Sequence, residues 1–163
     1  MFKLSANMFN GLLAGILASL ATSAAAQEMP KQFEFSVTYH AVVTSDMVTL
    51  AEKDFAGSFH GKFIATNDSG GVFMHNMFGN CSYAVVRAKG VLEMSGGCTY
   101  TDKDGDQLYE TFKIPPGGSR EIAFGGGTGK FAGIECAGKF ETVARSQDRS
   151  MAIGKKNGSC KRP

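Results

Sequence analysis

Gly125-Gly126-Gly127-Thr128-Gly129-Lys130-Phe131-Ala132-Gly133 joins a short strand-like segment, Glu121 to Phe124, to a longer alternating run from Ile134 to Val143. Five glycines in nine positions imply a backbone that turns where a β-carbon would collide, or that approaches another strand closely. A nucleotide-binding reading fails on chemistry. A Walker A loop needs a hydroxyl directly after its lysine, but Phe131 follows Lys130 and Phe124 stands where its first glycine would be. The looser dinucleotide fingerprint requires a helix next, and a strand pattern follows instead. The segment reads as a corner between two strands.

Outward from this corner the dominant period is two. Phe33, Phe35, Val37, Tyr39, Ala41 and Val43 alternate with polar residues, which predicts a half-buried strand over Lys31–Val43. Ser58–Thr66 places Phe59, Gly61, Phe63 and Ala65 on one side. Val72–Phe78 is apolar on both sides and predicts a strand covered twice. Further strands are expected from Cys81 to Tyr100 as a hairpin, then at Gln107–Ile114, Arg120–Phe124, Ile134–Ala144 and from Ser150 onward. The one helical candidate is Ser45–Asp54, with Ser45 as cap and Met47, Leu50 and Ala51 on one side. Such a pattern leaves a closed barrel or a two-sheet sandwich. Gly61, Gly96, Gly97, Gly133 and Gly138, inside or at the ends of strands, supply the kinks a tightly curved sheet needs and favour the barrel.

Met1–Ala26 carries Lys3, an apolar stretch from Gly11 to Leu20, and Ala24-Ala25-Ala26 before Gln27, the layout of a cleaved secretory signal. The run is too short to span a bilayer and no second run approaches that length. Of 163 residues, removal of the first 26 leaves a single domain over 27–163. Because Lys3 is lost and no carboxylate goes with it, the formal charge falls from +2 to +1. A near-neutral balance argues against nucleic acid as a partner. The basic tail, Arg145, Arg149, Lys155, Lys156, Lys161 and Arg162, reads as a solvated terminal face. A periplasmic or secreted location is expected.

All four cysteines lie beyond the signal, and an even count in an oxidising compartment implies two disulfides. Three pairings are allowed. If Lys89-Gly90 is a two-residue hairpin loop, Cys81 falls opposite Cys98 at a non-hydrogen-bonded site, Tyr83 covers Gly96, and Val85 lies beside Met94. Cys136 and Cys160 then pair, brought together by a turn near Gln147-Asp148-Arg149.

Chemistry is sparsely signalled. Asp102, Asp104 and Asp106 alternate like calcium ligands, but Gly105 precedes the third aspartate and Glu110 stands at the ninth position rather than the twelfth, so a hairpin turn is the preferred reading. His75 between Met74 and Met77 allows a copper site in principle, yet methionines filling a core account for it better. No metal or cofactor is expected. Glu110 is the one candidate catalytic residue, since a strand over Gln107–Ile114 puts it on the face of Leu108, Phe112 and Ile114, where burial would disfavour its charged form. A bulge or register change that returns it to water is the preferred alternative.

At Gly126-Gly127-Thr128-Gly129-Lys130-Phe131-Ala132-Gly133-Ile134 the chain resembles the allene oxide cyclase barrel and dirigent-like families. Their members carry Gly-Gly-Thr-Gly, a basic residue, an aromatic and a further glycine between two barrel strands. Cys98 to Asp106 also resembles a strand and turn of exported bacterial proteins of that type. The resemblance implies an eight-stranded antiparallel barrel, an interior able to hold an apolar small molecule, and a homo-oligomer. The plant enzymes perform a cyclisation or guide a coupling made elsewhere, and none of their functional residues maps onto this chain one by one. Cys136 departs from the pattern, standing where a glycine often follows, which suggests a scaffold tied by a bridge.

The expectation is therefore an all-β, single, closed antiparallel barrel of about eight strands stapled by two disulfides. It binds a small apolar ligand or a partner without catalysis. The alternatives are a cyclase or isomerase using Glu110 and the barrel interior, and a structural or adhesive oligomeric module.

Overall fold

The computed structural model describes residues Met29–Pro163, so the expected signal lies outside the described residues. Eight strands follow one another: β1 (Gln32–Ala51), β2 (Asp54–Asn67), β3 (Met77–Ala88), β4 (Val91–Thr101), β5 (Gln107–Ile114), β6 (Glu121–Gly127), β7 (Glu135–Arg145) and β8 (Met151–Lys161). Each pairs antiparallel with the next, and β8 returns to β1, which closes the barrel. The sheet has no free edge, so no strand is left to pair with another chain.

Two expected elements differ. Ser45–Asp54 is not a helix but the far end of a long β1–β2 hairpin, with Met47 opposite Gly57 and Thr49 opposite Phe55. Val48 and Thr49 are β-branched, and partners along β2 satisfy every other backbone group there, which outweighs three apolar residues at helical spacing. Val72–Phe78 is a strand only from Met77. Its first part folds across the end of the barrel, with Met74 and Asn76 at positive φ. The Asn67 amide holds this segment, donating to the Phe73 carbonyl at 2.8 Å and accepting from the Ser69 N–H. It is apolar on both sides because it is a plug.

The plug defines the closed end. The Phe73 ring lies 5.3 Å from Phe33, 5.1 Å from Phe35 and 5.5 Å from Phe124. Met74, Met77, Tyr100, Leu108, Phe131 and Ile134 fill the space around it with no exposed surface. The hairpin register is the expected one: Cys81 faces Cys98, Tyr83 faces Gly96 and Val85 faces Met94. The turn residues Lys89 and Gly90 both have positive φ, as a two-residue hairpin requires. Disulfides join Cys81 to Cys98 and Cys136 to Cys160, and both are buried among the core residues.

The corner at Gly125–Gly133 contains a 3₁₀ turn over Gly129–Phe131. Its partner is the aspartate-rich turn between β4 and β5. Lys130 Nζ lies 2.5 Å from Asp102 Oδ2 and 2.8 Å from Asp104 Oδ2, while the Lys130 backbone N–H donates to Asp106 at 3.2 Å. Gly129, at φ 51°, must be glycine, because a β-carbon there would overlap the Asp106 carboxylate. The two motifs that carried the resemblance are thus one interlocked corner.

Candidate functional site

Alternation along β5 turns Leu108, Glu110 and Ile114 inward, and alternation along β8 does the same for Gly154, Lys156 and Cys160. Glu110 and Lys156 are each 3% exposed and meet inside the barrel. Lys156 Nζ donates to Glu110 Oε2 and, at 2.7 Å, to the Tyr100 hydroxyl. Aromatic faces surround the ammonium: Tyr100 at 4.9 Å, Tyr39 at 5.4 Å and Phe124 at 6.0 Å from ring centre. The charge is held by one carboxylate, one hydroxyl and three rings, in place of water.

The environment shifts these groups in consistent directions. Burial pulls the Lys156 ammonium below its usual value, with Glu110 opposing. Burial pushes the Tyr100 hydroxyl well above the usual tyrosine value, reinforced by the charge and hydrogen bond of Glu110. Tyr100 therefore remains a neutral hydroxyl at any working pH.

The preferred expectation for Glu110, a return to water, is corrected. A bulge does occur beside it, but in the partner strand: Leu108 faces Gly127 and Glu110 faces Phe124, so the extra residue belongs to β6. The strand carrying Glu110 stays regular and the carboxylate stays inside. Lys156, which the sequence pattern assigns to the solvated basic tail, lies inside the barrel. The signal was present, since Ala152, Gly154, Lys156, Gly158 and Cys160 share one face of β8, and a face of small residues ending in a bridged cysteine points inward.

Above this ion pair the barrel opens. Phe59 stacks on Tyr83 at 5.1 Å, Tyr83 meets Phe112 edge-on at 5.1 Å, and Phe112 meets Phe140 edge-on at 5.7 Å. Across the mouth Tyr39 and Phe63 lie 5.6 Å apart, with the Tyr39 ring set directly over Gly154. Tyr39 is buried, whereas Phe59, Phe63, Tyr83, Phe112 and Phe140 are only half-buried. Burial raises the hydroxyls of both Tyr39 and Tyr83, and the charge of Arg145 opposes it in each case.

Two exposed arginines stand at the rim of the mouth for separate reasons. Arg120 continues the inward phase of Ile122 and Phe124; its guanidinium lies 5.9 Å from the Phe140 ring centre and donates to Thr142 Oγ1 at 3.4 Å. Arg145 is brought in by a bulge. Thr142 faces Gly154 but Ala144 faces Ile153, so Val143 is an extra residue and the odd positions beyond it turn inward. The Arg145 guanidinium then donates to the same Thr142 Oγ1 at 3.3 Å.

The other candidates resolve structurally. Among the described residues no three His, Cys, Asp or Glu side chains gather as metal ligands. The expected turn at Asp102–Asp106 has an internal cation in Lys130. Hydrogen bonds from Lys103 and then Lys130 hold the Asp104 carboxyl down at about 2. Met74 and Met77 are core residues. A shallow outer groove of about 670 Å³ runs past Val42, Ile64, Phe78, Met151 and Ile153, each between 40% and 64% exposed. It also runs past Phe63 and Arg145 at the rim of the mouth, and it contains none of the buried polar groups.

The pterocarpan synthase dirigent protein GePTS1 matches with a TM-score of 0.50 and 17% identity, over 82% of this chain and 92% of that one. The pterocarpan synthase dirigent protein PsPTS1 matches with a TM-score of 0.50 and 17% identity, over 81% of this chain and 96% of that one. The chain has the dirigent barrel fold. No family model and no curated protein matches this dirigent-like barrel, and at such identity the likeness concerns the fold. Among the described residues, no helix is long and apolar enough to cross a membrane.

Proposed function

We propose that this dirigent-like barrel is an exported, non-catalytic binding protein that holds a small planar apolar molecule in its open end. The observation that carries this reading is the chain of half-buried rings from Phe59 through Tyr83 and Phe112 to Phe140. Half-buried rings that share one end of the barrel lose water when a planar molecule stacks on them, at a gain of roughly 25 cal/mol for each Å² of apolar surface covered. Had all the interior phenylalanines been buried, only the outer surface would remain for binding. Instead the Phe35, Phe73 and Phe124 rings of the closed end are buried, and those of the open end are half-buried. Export is supported by the two disulfides, which persist in oxidising compartments. The buried Glu110 and Lys156 pair with each other beneath the rings, so their charges are spent on one another and not offered to a reactant.

The test is calorimetric titration with methyl 2-naphthoate, a neutral planar probe. Saturable binding is expected, weakened roughly tenfold or more by Phe140→Ala and left unchanged by Phe78→Ser in the outer groove. Equal loss in both variants, or no binding by the unsubstituted protein, would refute the proposal.

The competing enzymatic reading rests on Glu110 and Lys156 as an acid and base pair. It requires a ring of the mouth to move aside, and turnover of a cyclisable substrate that disappears in Glu110→Gln would favour it.

A further inference from the structure

Building on that reading of the mouth, we infer that the ligand is an anion, a planar aromatic carrying a carboxylate or similar group, whose charge is received by Arg120 and Arg145. Both guanidinium groups donate to one acceptor, Thr142 Oγ1, at 3.4 and 3.3 Å, so two positive charges are drawn to a single neutral oxygen at the edge of the aromatic wall. Like charges held this close disfavour each other unless an anion sits between them or nearby. Among the described residues neither arginine forms an ion pair.

The carboxylates that might have served are directed elsewhere. Asp46, Glu93, Glu121 and Glu141 occupy outward register positions and are exposed. Asp54 accepts the turn N–H groups of Lys89 and Gly90. Glu110, the one carboxylate inside the barrel among the described residues, is already engaged by Lys156. A third cation supports the same sign: Arg87, on the inward phase of Tyr83 and Val85, has a buried Nε with no hydrogen-bond partner. The rim thus carries two exposed fork-shaped donors beside stacked rings, a combination suited to a flat anion that is gripped at one end and stacked along its length.

The experiment compares 2-naphthoate with methyl 2-naphthoate, which share the ring system and differ in charge. At low ionic strength the acid is expected to bind at least about tenfold more tightly, and 0.5 M sodium chloride should remove most of that preference. Arg120→Gln combined with Arg145→Gln should bring the ratio of acid to ester affinity down to about one. If the substituted protein fails to fold, the salt dependence of the unsubstituted protein still reads the same charge. Equal or tighter binding of the ester overturns the anion and leaves the binding mouth standing, whereas binding of neither molecule overturns both.

Discussion

The closed and open ends of this barrel are made by the same eight strands and by similar aromatic residues, yet they do different things. At the closed end a loop folds in, two disulfides lie among the rings, and Phe35, Phe73 and Phe124 pack against one another out of water. At the open end none of the described residues folds in, and the rings form a half-buried chain edged by arginines. The ion pair of Lys156 and Glu110 is the boundary between them. The difference teaches that ring content alone does not mark a core. What marks it is whether another segment arrives to complete the packing.

The boundary is where the comparison is most easily broken. Lys156→Met leaves Glu110 buried without a partner and should destabilise the protein by about 3–5 kcal/mol in urea or guanidinium unfolding. Adding Glu110→Leu should recover most of that loss. A single variant as stable as the parent would mean that the pair is not sealed from water. Glu110→Gln is expected to destabilise as well, because it strands the ammonium.

Within the closed end Phe124→Ala should cost about 3–5 kcal/mol, since the ring is fully packed. Replacing Cys81 and Cys98 by serine should cost about 3 kcal/mol, for a bridge spanning 17 residues. The intact denatured protein should show no free thiol. Phe140→Ala at the open end should cost only about 1–2 kcal/mol while weakening binding. A cost equal to that of Phe124→Ala would erase the distinction between the two ends.

The smallest effect concerns the interlocked corner. Burial pushes the Asp102 carboxyl up, but hydrogen bonds from Lys130 and from the Asp104 and Asp106 N–H groups outweigh it and hold it below the usual value. Asp104 lies at about 2. Carboxyls lowered on folding contribute stability that is complete above about pH 4 and lost as the pH falls through their folded values. Melting temperature should therefore fall between about pH 4 and pH 2, and Lys130→Met should flatten that fall. An unchanged acid profile would mean that the lysine is not the cation of this turn.

Much of this was legible in the residues. Period-two alternation from Phe33 to Val43 and from Gln107 to Ile114 determined which side chains face inward, because successive residues of a strand must point to opposite sides. The Lys89-Gly90 turn determined the register that bridges Cys81 to Cys98. The glycine corner determined that the sheet bends there. Alternation also placed Glu110 inside.

Only the tertiary structure decided what that carboxylate meets. Lys156 lies 46 positions away on a strand that faces β5 across the interior only once the sheet has closed, and no local pattern encodes such a meeting. The same holds for Arg145: a single extra residue at Val143 reverses the phase of everything after it, so Arg145 passes from the outer face to the rim of the mouth. Local sterics set the direction of each side chain. The company it keeps depends on bulges and on ring closure, which involve the whole sheet at once.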